Sequence, residues 1–172
     1  MKLYIVGSVA SGKTTLAKRL SKITGIHYTA LDEIVHKPDM SSKWGNNKRT
    51  IEERDEMFSL ILHQENWIIE DTGRSCFSEG LKQADTIVLL DTSPLTRRHR
   101  IIFRWIKQRI GIENCSYIPS YAMLKSMFRW SKEYDNGKDG LHERIKPYQN
   151  KTIVLCNNND VNKYISEIRA RP

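Results

Sequence analysis

A strand, a glycine-flanked loop and a helix follow one another without interruption at the start of the chain. Leu3-Tyr4-Ile5-Val6 is a short apolar run, Gly7-Ser8-Val9-Ala10-Ser11-Gly12-Lys13-Thr14 fits G-x-x-x-x-G-K-[ST], and Leu16, Ala17, Leu20 and Ile23 recur at helical spacing. No other feature constrains the fold as strongly, because this order is the one a phosphate cradle requires. The glycines let backbone N–H groups turn toward a polyphosphate, and the helix N-terminus adds a favourable dipole. Lys13 is placed to reach the outer phosphates and the Thr14 hydroxyl to ligate Mg²⁺. The expected cofactors are therefore ATP and Mg²⁺. Gly7, Ser8, Val9, Ala10, Ser11, Gly12, Lys13, Thr14 and Thr15 form the candidate nucleotide-binding set.

At 172 residues the chain reads as a single domain (1–172) with room for one sizeable core, and 39% hydrophobic content argues against disorder. No run of about 18 apolar residues is present, so no membrane crossing is expected. Met1-Lys2-Leu3 leads straight into the first strand, with no leader pattern. Cys76, Cys115 and Cys156 are odd in number, far apart and lack C-x-x-C, which suits reduced thiols. Together these point to a cytoplasmic protein. The net charge of +8 is unevenly spread. Residues 96–151 carry 13 Lys/Arg against 5 Asp/Glu, whereas residues 1–95 carry 12 against 13. A basic block of this kind faces phosphate, on a nucleotide or on a polymer.

Strands are predicted over 2–6, 27–31, 67–69, 86–90 and 152–155, alternating with helices over 13–24, 50–64, 94–110, 119–134, 140–147 and 161–168. Thr50 with Glu53 reads as a capping box, and Ser93-Pro94 as a cap followed by proline at the first helical position. Residues 36–50, with Lys37-Pro38-Asp39 and Trp44-Gly45-Asn46-Asn47, read as a loop. The fold class is α/β: a P-loop NTPase of nucleoside/nucleotide kinase type, about five parallel strands flanked by helices. An acceptor arm is expected over about 32–64 and a basic helical lid over about 96–151.

Acids stand just after predicted strands: Asp32, Glu70 with Asp71, and Asp91. In an open parallel sheet the strand carboxyl ends line the ligand crevice, so these side chains can converge on the phosphates. Phosphoryl transfer needs one carboxylate for Mg²⁺ and one to orient the attacking hydroxyl. Glu70 is the candidate for metal, with Thr14, and Asp32 for acceptor contact and catalysis. Solvated turn or capping roles are the alternative for each, Asp91 above all.

On the long helix Arg97, Arg100, Arg104 and Lys107 share one face, with Ile102, Trp105 and Ile106 on another. Arginines closing over the transferred phosphoryl are the principal protein contribution to such chemistry; a solvated basic face is the alternative. Arg49, Arg54 and Arg74 are candidates for acceptor phosphate, against simple pairing of Arg49 or Arg54 with Glu52 and Asp55. Residues 117–148 mix Lys/Arg with aromatics, which suits a nucleic-acid surface, a lid, or a helix burying Met123, Met127 and Trp130.

The ordered set resembles the adenylate-kinase-like P-loop proteins known as FlaR-related, or DNA topology modulation protein-like. It comprises Gly7–Thr14, Leu31-Asp32-Glu33-Ile34-Val35, Arg49 with Glu52-Glu53-Arg54-Asp55, Trp67-Ile68-Ile69-Glu70, Ala84–Asp91, Arg100-Ile101-Ile102-Phe103-Arg104 and Phe128-Arg129-Trp130. The resemblance runs from the first strand to about residue 155. It implies that Arg100 and Arg104 form the R-I-x-x-R pair that contacts ATP in nucleotide kinases, and that Glu70 is the acid following the third strand. The chain departs from the family's W-I-I-E-G by reading Asp71-Thr72-Gly73 after Glu70, which adds an acid and delays the turn.

The leading expectation is Mg-ATP-dependent phosphoryl transfer to a nucleotide or similar small acceptor. In it Lys13, Arg100, Arg104 and Asp32 are catalytic, and Arg109 is a further arginine near the phosphoryl. Asp32, Arg49, Arg54 and Arg74 bind the acceptor. Two alternatives stay open: a nucleic-acid-associated ATP-binding regulator, motivated by residues 96–151, and a kinase of a non-nucleotide metabolite such as a sugar acid. No nucleic-acid-binding motif is present, so nucleic acid is the less favoured partner, and no membrane partner is expected. The acceptor, the donor base and the oligomeric state are not legible.

Overall fold

In the computed structural model, which describes residues 1–115 and 117–170, five parallel strands form the central sheet. They are β1 (Lys2–Gly7), β2 (Tyr28–Ala30), β5 (Trp67–Asp71), β6 (Thr86–Leu90) and β7 (Thr152–Leu155), in the order β2-β5-β1-β6-β7. Strand β1 is central: Ile5 and Val6 pair with Glu70 and Asp71 on one side, and Gly7 with Leu90 on the other. Connections leave β1 in both directions, so the loop after it opens at the point where strand order reverses, the usual ligand crevice of such sheets.

Period-2 alternation divides the core into two layers. Tyr4, Val6, Trp67, Ile69, Ile87 and Leu89 face one layer, and Leu3, Ile5, Ile68, Val88 and Leu90 face the other. The second layer is closed by α1 (Lys13–Thr24) and α8 (Asn158–Arg169) through Leu16, Leu20, Ile165 and Ile168. The first is closed by Phe58, Ile61 and Leu62 of α3 (Ile51–Leu62), Leu81 of α4 (Ser78–Gln83), Tyr134 of α6 (Tyr121–Asp135) and Leu141 of α7 (Leu141–Ile145). Burying both faces of the sheet explains why the strands read as continuous apolar runs.

The caps are where the sequence predicts them. Thr50 and Glu53 exchange the reciprocal hydrogen bonds of a capping box (3.2 and 3.1 Å). Ser93 accepts from the Thr96 N–H at the start of α5 (Pro94–Arg109).

Several local expectations are corrected. Asp32 opens a short helix, α2 (Leu31–Val35), immediately after β2. Within 36–50 the chain forms an antiparallel pair, β3 (His36–Pro38) and β4 (Asn46–Lys48), whose six mostly polar residues carry no alternation. On α3, where Met57, Leu60 and Ile61 read from the sequence as the apolar stripe, the buried residues are Phe58, Ile61 and Leu62, and Leu60 is exposed. On α6 the buried positions are Met127, Ser131 and Tyr134, while Trp130 is 42% exposed. Among the described residues no helix is long and apolar enough to cross a membrane.

Candidate nucleotide and acceptor site

Gly7 ends β1 with φ +152, and a Cβ there would stand 2.6 Å from the Leu90 carbonyl oxygen. Glycine thus lets the chain turn out of the sheet against β6. Among the described residues Ala10, at φ +58, is the non-glycine residue with a positive φ, and it lies in the same loop. The loop runs into α1, whose first residue is Lys13. Lys13 is buried, and its ammonium donates to the Ser8 carbonyl at 2.9 Å. Burial lowers its pKa, an effect opposed by the charges of Glu70, Asp32 and Asp71. The hydroxyls of Ser8 and Ser11 are buried without hydrogen-bond partners. A buried cation, two unpartnered hydroxyls and a helix N-terminus around one loop fit a polyphosphate.

Thr14 and Glu70, chosen from the sequence as the Mg²⁺ pair, are brought into contact: the Thr14 hydroxyl donates to Glu70 Oε1 at 2.6 Å. Both present oxygen, the donor chemistry Mg²⁺ prefers, and that ion ordinarily keeps several waters and substrate phosphates as its other ligands. Among the described residues no cluster of three His, Cys, Asp or Glu could hold a metal ion.

Asp71, the extra acid, has no free oxygen for metal. Its Oδ2 accepts from the N–H groups of Gly73 and Arg74, both at 2.6 Å, and its Oδ1 pairs with the Arg74 guanidinium. The carboxylate closes the turn that the late glycine requires. Gly73 sits at φ +86 with Leu141 directly over its missing Cβ.

Arg74 bridges Asp71 to Asp32, so two candidates far apart in sequence meet beside the loop. Crowding by protein is the largest influence and pushes the Asp32 carboxyl up, but the charge and hydrogen bond of Arg74 and the other neighbouring cations together outweigh it, and the net shift is downward from 3.8. Lys13 also contributes to that lowering, which places Asp32 within the electrostatic reach of the loop lysine. A cavity of about 680 Å³ opens here, lined by Asp32, Glu33, His36 and Arg49 on its polar side and by Ile34, Pro38, Met57, Leu60 and Ile61 on its apolar side. Arg49 presents a buried Nε with no hydrogen-bond partner. Arg54 does not join this group: it pairs with Asp55 and lies over the Phe77 ring.

On α5 the arginines separate into different roles. Arg100 donates to the Ser11 carbonyl at 2.6 Å and to Asn158 at 3.2 Å, lying directly on the phosphate loop. Arg104 is half-exposed and pairs with Glu113 at 2.9 Å. Arg109 stacks on the Trp105 and Tyr121 rings, 5.3 and 5.6 Å from their centroids. Arg97 departs from the sequence reading, being almost fully buried. Its guanidinium contacts Asp135 and the Thr92 carbonyl, donates to Ser131 at 3.1 Å, and lies over Tyr134. Asp91 accepts from the Tyr134 hydroxyl at 2.7 Å and belongs to the same structural network. The sequence carried one clue to this arrangement: an acidic pair, Glu133 and Asp135, in an otherwise basic stretch.

The loop between β3 and β4 touches the segment between α5 and α6, where the Ile118 N–H donates to the Trp44 carbonyl at 2.8 Å.

A family profile described as AAA domain matches residues 3–115. No curated protein matches by sequence. Among solved structures, a gluconokinase from Sinorhizobium meliloti 1021 is similar over 98% of this chain and 89% of its own, at 15% identity and TM-score 0.54. A shikimate kinase from Bacteroides thetaiotaomicron is similar over 97% and 95%, at 14% identity and TM-score 0.54. A deoxyadenosine kinase from M. mycoides with bound dATP is similar over 98% and 97%, at 15% identity and TM-score 0.54. At these identities the likeness is one of fold. The chain belongs to the AAA domain family, on the P-loop fold that these kinases share.

Proposed function

We propose that this protein is a Mg-ATP-dependent phosphotransferase of the FlaR-related type, acting on a nucleotide or similarly small acceptor. The supporting observation is that Glu70, bonded to Thr14 at the start of the loop helix, pairs in register with Ala30, two residues before Asp32 at the mouth of the adjoining cavity. Transfer requires donor phosphate and acceptor hydroxyl to meet in one water-poor space.

In this reading the loop from Gly7 to Thr15 holds the triphosphate, and Lys13 swings from the Ser8 carbonyl to the outer phosphates. Thr14 and Glu70 would hold Mg²⁺, which when bound neutralises charge between the outer phosphates. Arg100 closes over the phosphoryl from its seat on the loop, with Arg104 one helical turn further and freed from Glu113. Asp32 orients the acceptor hydroxyl, Arg74 holds Asp32 ionised, and Arg49 offers its unpartnered Nε to an acceptor anion. The five apolar cavity residues suit a flat ring better than an open-chain polyol, because a polyol would leave hydroxyls unpaired there. This favours a nucleotide over a sugar acid.

The nucleic-acid reading loses part of its motivation, since Arg97, Arg100 and Arg104 are all engaged by protein groups. In the test of this proposal, Lys13→Ala abolishes acceptor-dependent ADP formation while circular dichroism and melting stay close to wild type. Retained turnover in that variant sinks the assignment.

A further inference from the structure

Helix α5 buries one side and presents a second apolar side to solvent. Its buried residues are Arg97, Ile101 and Gln108. Leu95 (64% exposed), Ile102 (41%), Phe103 (63%), Ile106 (42%) and Ile110 (63%) continue along the helix and just past its end. At 100° per residue these five fall within an arc of roughly 100°, opposite the buried face, and extend over roughly 22 Å. The exposed His99 lies in the same arc and separates Leu95 from the unbroken apolar run of Ile102, Phe103, Ile106 and Ile110. Scattered exposed apolar residues need no explanation, but such a run on the outward side of one helix does.

The flanks of the stripe restrict what it can meet. Arg98 borders one edge and Lys107 the other, both exposed, and the sixteen residues of α5 contain no acid. Pairing with α5 of a second copy, parallel or antiparallel, sets cation against cation along both edges. An anionic, deformable surface satisfies both edges and the apolar stripe together.

We propose that the outer face of α5 lies on an anionic membrane surface, with the stripe at the headgroup boundary and Arg98 and Lys107 among the lipid phosphates. Such in-plane seating needs an amphipathic basic helix and no spanning run, so it is compatible with the absence of a crossing helix among the described residues. Arg100 points roughly 110° away from the stripe around the helix axis, so the phosphate loop stays beside the contact and open to solvent.

The test is co-sedimentation of the full chain with vesicles of phosphatidylcholine, with and without about 30 mol% phosphatidylglycerol, at about 0.1 M salt. Wild type is expected to bind the anionic vesicles and to bind phosphatidylcholine alone far less. Combining Ile102→Ser, Phe103→Ser and Ile106→Ser is expected to weaken binding at least about tenfold while ATP binding is retained, and Arg98→Gln to weaken it roughly fivefold. The proposal is overturned if wild type does not bind, or if the triple variant binds equally well. It is also overturned if sedimentation velocity finds a wild-type dimer that the triple variant converts to monomer, which would assign the stripe to a second copy.

Discussion

Breaking the Arg97–Asp135 pair by Asp135→Asn should destabilise the protein well beyond an ordinary surface change. Arg97 is 1% exposed, and its other contacts, Thr92, Ser131 and the Tyr134 ring, are uncharged. Removing the carboxylate leaves a buried cation without a counter-charge, which typically costs about 3–5 kcal/mol. The Asp135 side chain is 31% exposed, so water reaches this end of the pair and brings the cost below that range, to about 2–3 kcal/mol. For a chain of this length each kcal/mol moves the melting temperature by about 2–4 °C, so the expected drop is roughly 4–12 °C. Thermal unfolding followed by circular dichroism at neutral pH measures it, and a repeat at about 1 M salt should leave the difference nearly unchanged because a buried pair is poorly screened. Arg97→Met should cost less, about 1–2 kcal/mol, since the remaining carboxylate can hydrate. The double variant should fall short of the sum by about 1 kcal/mol or more. A drop below about 2 °C for Asp135→Asn would refute the reasoning and show that the guanidinium is stabilised without its carboxylate.

Gly73→Ala is expected to cost about 2–4 kcal/mol, from a strained positive φ and a Cβ placed 2.3 Å from Leu141 Cδ1. In a Leu141→Ala background only the backbone part, about 1 kcal/mol, should persist, and denaturant unfolding of the four proteins checks this. The folded-state pKa of Asp32 is below the ordinary 3.8, so its ion pair with Arg74 contributes stability above that value and loses it as pH falls through the lowered one. Melting curves of wild type and Asp32→Asn should therefore differ at neutral pH and converge in strong acid. Arg100→Ala is expected to lower kcat on the order of 10²-fold, with Arg104→Ala milder because Arg104 is held by Glu113 away from the loop. Steady-state kinetics at saturating ATP separates the two.

Features set by local chemistry were legible in the sequence. The phosphate loop, the capping box at Thr50 and the five apolar strands depend on near neighbours and on burial of the sheet from both sides. The contact between Thr14 and Glu70 was legible too, because strand ends in a parallel sheet converge whatever the intervening chain does. What escaped depended on long-range partners. Arg97 reads as one more member of a basic face, and only the approach of α6 with Asp135 turns it inward. That inward turn rotates α5 and leaves Ile102 and Ile106 outside, against the ordinary expectation for apolar side chains. The β3–β4 pair is too short and polar to show a period. Asp71 reads only as an extra acid that delays the turn, and its part in closing that turn shows once Gly73 and Arg74 occupy its oxygens.

The central claim is that the phosphate loop delivers a phosphoryl group to a small molecule held beside Asp32. The most direct measurement is ADP release from Mg-ATP by the purified protein across a panel of nucleoside monophosphates, nucleosides and sugar acids, with Lys13→Ala as control. The account predicts ADP formation that depends on a ring-bearing acceptor, nucleoside monophosphates foremost, and that vanishes in the control. Slow ATP loss indifferent to every acceptor would contradict it.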